Sequence, residues 1–97
     1  MASVVAAQRA SSDLTRLIAT HHLPEDARDR VRRSLSQLET FPLAGRRLTG
    51  RWRGFRVILG PWPWMLLVYQ YDERSDTVTV DAIHDARTAS AATSERD

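Results

Sequence analysis

The chain has no cysteine, no lysine, few aromatic residues and no long apolar run. Without cysteine there is no disulfide, no thiolate metal site and no cysteine nucleophile, a composition that suits a reducing compartment. No apolar stretch approaches the roughly 20 residues that a membrane helix requires. The opening MASVVAAQRASSD also lacks the basic start and long apolar middle of a signal peptide. The expectation is a soluble cytoplasmic protein with no membrane partner. Since lysine is missing, all 14 basic residues are arginine. Each offers a rigid fork of donors that meets a phosphate or carboxylate bidentately, as lysine cannot.

A length of 97 residues, 42% of them apolar, is enough for one packed core and too little for two. Residues 1–88 are expected to form that single domain, and the small, polar residues 89–97 a flexible tail. The net charge is only +2, yet its distribution is uneven. Residues 1–44 hold six arginines against five acids, residues 45–56 hold five against none, and residues 57–97 hold three against seven.

Periodicity divides the chain into two regimes. Ala10, Leu14, Leu17 and Ile18 recur at helical spacing, which predicts an amphipathic helix; Val4 and Val5 could open it or form a short strand ahead of it. A second helix is marked by Pro24 at its first position, by Glu25 and Asp26 at the positive end of its dipole, and by Pro42, which forbids continuation. Ala27, Val31, Leu35 and Leu38 line one face of it, and Asp26–Arg30 and Asp29–Arg33 stand as acid-before-base pairs. A short link between the two helices predicts an antiparallel hairpin.

Past Pro42 the pattern alternates. FRVILG, WMLLVYQY and TVTVDAIHD read as three strands separated by GPWP and DERSD, which are turns. The middle strand is apolar almost throughout, as expected for one covered on both faces. Val78, Val80 and Ala82 are expected on one side of the last strand. The fold class is therefore α+β: a small antiparallel sheet made of a three-strand meander, with the helix hairpin on one face. The other face is expected to be open.

The acid-free stretch GRRLTGRWRGFR supplies Arg46, Arg47, Arg51, Arg53 and Arg56. Clustered arginine with no compensating acid is the electrostatic footprint of phosphate binding, and the glycines beside it permit close backbone approach. A charged strand edge that resists aggregation is the competing reading. Trp52, flanked by Arg51 and Arg53, is a candidate stacking residue for a nucleic acid. Trp62 and Trp64 surround a proline-rich turn and are expected to cap the core. His21 and His22 are expected to be solvated. No cofactor or metal is expected, because no second histidine stands at ligand spacing from His84; there is also no serine elbow and no phosphate loop.

In order and spacing, the helix hairpin, the string L-x-x-F-P-L-x-G-R-x-L-x-G-x-x-x-G-F-R, then LLVYQYD, then VTVDAIHDAR, the chain resembles the RelE/ParE family of bacterial toxins. The resemblance implies a short N-terminal strand over residues 4–7 and a toxin of a type II toxin–antitoxin pair, held inactive by an antitoxin protein. RelE-like members cut mRNA in the ribosomal A site, whereas ParE-like members poison DNA gyrase and need no catalytic residue. A catalytically inactive, antitoxin-binding relative is the third reading. By position, Arg56 and Arg87 match basic residues of the family's nucleases, and His84 stands where members often carry histidine. The set is incomplete: a second basic position falls on Ile58, a central-strand arginine falls on Leu66, and no aromatic residue follows Arg87. Cleavage through the 2′-hydroxyl needs a base, positive charge for the pentavalent phosphate and an acid. Arg56 and Arg87 can supply charge, and His84 is the group with a suitable pKa for the base. The expectation is a growth-arresting toxin acting on ribosome-bound mRNA as an endoribonuclease. Gyrase is the alternative target, and an acidic antitoxin segment is the expected protein partner.

Overall fold

The computed structural model describes residues 1–87. The expected domain limit at residue 88 and the tail 89–97 therefore lie outside the described residues. Eight elements follow one another: β1 (Ser3–Ala6), α1 (Gln8–His21), α2 (Ala27–Thr40), β2 (Arg46–Arg47), a single 3-10 turn (Gly50–Trp52), β3 (Arg56–Leu59), β4 (Met65–Asp72) and β5 (Thr77–Asp85). The strands form one five-stranded sheet in the order β1-β5-β4-β3-β2. The architecture is the expected α+β fold, with two additions. The sheet is mixed, because β1 runs parallel to β5, in register from Ser3 opposite Thr77 to Ala6 opposite Val80. A two-residue strand, β2, also extends the meander at its far edge.

The alternatives at Val4 and Val5 are resolved in favour of the strand. α1 begins only at Gln8 and buries Ala10, Leu14 and Leu17. It ends where His22 takes the left-handed conformation (φ 52°, ψ 50°) and its N–H reaches back to the Ile18 carbonyl. α2 begins at Ala27 rather than at Pro24, since the Ala27 N–H is taken by the Pro24 carbonyl in a tight turn (3.0 Å). Asp26 does not cap this helix; its carboxylate receives Arg30 Nε at 3.1 Å. Asp29 pairs with Arg32 (2.8 Å) instead of Arg33.

The main core lies between the helices and the sheet, where Leu14, Leu17, Val31 and Leu38 meet Met65, Leu67, Tyr69, Val78, Val80 and Ile83. The opposite face, expected to be open, is covered in part, in keeping with the reading of the middle strand as buried on both sides. Leu48, Val57, Val68 and Ala82 form a second small core there, under Trp52, Phe55 and Leu66. Ala82 reaches that side because the ladder shifts by one residue. Val68 stands opposite Ala82 while Tyr69 stands opposite Val80, so Asp81 is an extra, unpaired residue. A bulge of this kind reverses the alternation beyond it, which is why Ala82 does not share a face with Val78 and Val80.

The bulge is followed by a second unanticipated feature. Periodicity places Asp13 between the apolar positions of α1, yet its residue is 7% exposed. Its Oδ2 accepts the buried N–H of Ile83 at 3.0 Å. β1 stops at Ala6, opposite Val80, so the edge of β5 beyond that point is completed by this carboxylate in place of a strand. Arg16 completes the arrangement, 3.2 Å from Asp13 Oδ1. Removing the acceptor strands a buried donor, so Asp13→Ala should lower the unfolding free energy by about 2 kcal/mol. Chemical denaturation at neutral pH would show the drop as a lower midpoint with an unchanged slope.

Candidate nucleic-acid interface

The arginine-rich stretch is placed by one buried tyrosine. Tyr69 is fully buried, and its hydroxyl donates to the Pro42 carbonyl (2.9 Å) and accepts the Gly45 N–H (2.8 Å). Burial pushes the pKa of that phenol up, while the Gly45 N–H and the Arg56 charge act in the opposite sense. The bend at residues 42–45 is thereby pinned to the middle of β4, and Arg46 and Arg47 are delivered to the edge of the sheet. Arg46 pairs with Val57, and Arg47 with Arg56.

Cross-strand partners share a face, so Arg47 and Arg56 are neighbours on the same side. Arg56 in turn stands opposite Tyr69, whose ring belongs to the helix-side core. Arg56 therefore lies on the helix side of the sheet and not on the opposite face. Its Nη1 is bonded to the carbonyls of Gly45 (2.9 Å) and Leu43 (3.3 Å). Arg46 faces the side of Val57. Residues 50–52 turn instead of extending, which breaks the period of two and brings Arg53, not Arg51, next to Arg47 and Arg56.

These three arginines line a groove of about 870 Å³ together with Thr49, the backbone at Gly50 and Gly54, and Tyr71. Among the described residues, no ion pair joins any of the five arginines of residues 45–56 to a carboxylate. Two like charges directly opposite each other on paired strands repel. The Arg47–Arg56 pair is therefore an arrangement that an anion in the groove would relieve. Asp72 and Glu73 also line it, so the groove carries acidic as well as basic side chains.

The other candidates lie elsewhere. Trp52 is partly buried against the second core, with Phe55 edge-on at 5.5 Å and His84 edge-on at 5.7 Å. It covers the histidine rather than offering a free stacking surface. His84 Nε2 and Trp52 Nε1 are both buried and lack a hydrogen-bond partner among the described residues; each such group costs about 1–3 kcal/mol. Burial lowers the pKa of His84, with Asp13 opposing and Arg9 and Arg16 reinforcing the shift. The imidazole is therefore neutral at pH 7, the form a general base needs, but its Nε2 faces protein.

Arg87 is bound bidentately by Asp85, from Nε (3.1 Å) to Oδ1 and from Nη2 (3.0 Å) to Oδ2, and lies 5.3 Å over the Trp64 ring. Arg87 also holds the Asp85 carboxyl below the usual range. His21, expected to be solvated, stacks on Trp64 at 4.3 Å and places Nε2 3.0 Å from Asp85 Oδ2. Nothing in the spacing of these residues signals the contact, which joins the end of α1 to the end of β5. As expected, Trp62 and Trp64 cap the main core. Asp85 stands opposite Met65 and Arg56 opposite Tyr69, so Arg87 and Arg56 are at least four residues apart along the sheet, roughly 13 Å. Arg56, His84 and Arg87 are not brought together around one point.

No protein-family model matches the chain, and no curated protein matches its sequence. Solved structures do match it in three dimensions. A metal-bound toxin from Helicobacter pylori aligns over 91% of this chain and 98% of its own, with TM-score 0.68 and 21% identity. The ParDE toxin–antitoxin system of P. aeruginosa aligns over 88% and 96%, with TM-score 0.68 and 12% identity. An E. coli RelE variant in complex with an antitoxin RelBc peptide aligns over 99% and 97%, with TM-score 0.66 and 17% identity. The fold is that of the RelE and ParE toxins. On this RelE/ParE fold the groove lies at the β2–β3 edge of the sheet, and the cluster of Asp85 and Arg87 lies at the opposite end of the long strands. Among the described residues no group of three or more histidine, aspartate or glutamate side chains gathers as a metal site, and no helix is long and apolar enough to cross a membrane.

Proposed function

We propose that this chain is the toxin of a type II toxin–antitoxin pair and arrests growth by gripping mRNA at the ribosome. The observation that carries the reading is the groove itself. Arg47, Arg53 and Arg56 converge on it, all three without a carboxylate partner among the described residues, with Arg56 oriented by two backbone carbonyls. Such a surface matches the spaced charges of a phosphate backbone. It also suits an acidic segment of an antitoxin, which would neutralise the toxin by occupying the same arginines. The toxin–antitoxin complexes among the structural neighbours support a protein partner of that kind.

Cleavage of the bound strand asks for a base and a second cation beside Arg56. His84 is covered by Trp52, and Arg87 is held by Asp85. This dispersal favours a second reading, in which the protein blocks DNA gyrase by binding and performs no chemistry of its own. Inducing the chain in bacteria without its antitoxin separates the two. The first reading expects amino-acid incorporation to halt before DNA synthesis, with new 5′ ends inside coding sequences if the strand is cut. Continued translation while replication stops would refute it and support the second.

A further inference from the structure

Residues 49–54 loop out at the β2–β3 edge of the sheet with Trp52 packed on the helix-free face, and among the described residues their backbone is hydrogen-bonded only within the loop and to the adjoining Phe55 N–H. Leu48 N–H donates to the Phe55 carbonyl (3.0 Å), closing the loop at its base. Within it, Trp52 N–H reaches Thr49, Arg53 N–H reaches Gly50 and Phe55 N–H reaches Trp52. Among the described residues no hydrogen bond joins residues 49–54 to the strands beneath, so side-chain packing alone keeps the loop down. Gly50 (φ 66°) and Gly54 (φ 93°) stand at its two bends in the left-handed region, with open space where a Cβ would sit, so glycine is required there by conformation and not by crowding.

We propose that residues 49–54 are a hinged strap whose Trp52 shields His84, and that an anion drawn to Arg53 in the groove lifts the strap and uncovers the imidazole. The coupling is built into the position of Arg53, which lies both on the strap and in the groove wall. The closed strap partly buries the Trp52 ring against Phe55 and the second core, which favours it, while leaving Trp52 Nε1 and His84 Nε2 without partners among the described residues, which opposes it. Water would satisfy both atoms once the strap lifts. Two opposed contributions of similar kind are what a movable element requires. The charges beside His84 come from α1: Asp13, which raises its pKa, and Arg9 and Arg16, which lower it alongside burial.

Proton NMR of the full chain tests the strap directly. In the wild type, His84 should titrate below an ordinary histidine and the Trp52 indole N–H should exchange slowly with solvent. Trp52→Ala should move the His84 titration upward, toward the ordinary value. Gly54→Ala, which strains the closed turn while removing no contact, should speed exchange of the Trp52 indole roughly five-fold. Adding a mixed-sequence single-stranded RNA should shift the Trp52 indole resonance and raise the His84 pKa in the wild type, but not in Arg53→Ala. The trigger rests on the RNA reading above, whereas the two variants test the strap without it. If RNA fails to bind, that reading and its trigger fall while the titrations still decide the strap. A His84 that titrates normally in the wild type and does not respond to Trp52→Ala would overturn the strap. RNA that binds without disturbing the Trp52 indole would overturn its coupling to the groove.

Discussion

Gly45→Ala should destabilise the fold by roughly 2–4 kcal/mol, out of a total of about 5–15 kcal/mol for a domain of this kind. A Cβ at that position would lie 2.7 Å from the Tyr69 hydroxyl oxygen, 2.8 Å from its ring and 2.9 Å from the Val57 carbonyl oxygen. None of these can yield cheaply. Tyr69 is fully buried and its hydroxyl is bonded on both sides, to Pro42 and Gly45; the Val57 carbonyl belongs to a paired strand. The site would respond by pushing residues 42–45 off β4, which loses both hydrogen bonds and the carbonyls that orient Arg56. Thermal unfolding should register the loss as a Tm lower by about 8 °C or more, on the usual scale of about 4–8 °C per kcal/mol for a domain of this size. Truncating the hydroxyl in a Gly45→Ala, Tyr69→Phe double variant should cost less than the two single losses added together, because both act on one contact.

Much of the scaffold was legible in the sequence because local periodicity determines it. The spacing of Ala10, Leu14 and Leu17 and of Val31 and Leu38 follows from a helix that must bury one stripe, and the apolar run in LLVY follows from a strand covered on both faces. What escaped is non-local. Asp13 reads as a surface residue of α1 until Ile83, 70 positions later on β5, arrives beyond the reach of the short edge strand β1 with an N–H to satisfy. The bulge at Asp81 depends on the register with Val68 and Tyr69, which no periodicity in β5 alone reveals.

The candidate site divides in the same way. That residues 45–56 carry unopposed positive charge is plain from composition. Which of the arginines converge is decided by the 3-10 turn at Gly50–Trp52 and by Tyr69 anchoring the bend before β2. Alternation alone groups Arg47 and Arg53 with Arg51 and sets Arg56 on the opposite side, and so separates Arg56 from the groove it shares with Arg47 and Arg53. The ties of Arg87 to Asp85 and of His21 to Trp64 bring together the ends of α1 and β5 with the turn before β4, and no short motif encodes them.

Replacing Arg47, Arg53 and Arg56 together by alanine should abolish growth arrest while the fold persists. The loss of stability is confined to the bonds that Arg56 makes to Gly45 and Leu43, about 1 kcal/mol. Each guanidinium facing a phosphate contributes a charge-assisted hydrogen bond, so the three together should be worth at least about a 100-fold change in affinity for single-stranded RNA. Arg46→Ala with Arg51→Ala is the matched control, since both residues are exposed and neither lines the groove. The decisive measurement is the RNA dissociation constant of the wild type and of the two multiple variants across a range of salt. Counterion release gives a slope of about 0.7 per neutralised phosphate on a single strand. The groove predicts a slope for the triple variant shallower than that of the wild type by about 2, with the control close to the wild type. Equal slopes and equal affinities for the wild type and the triple variant would contradict it.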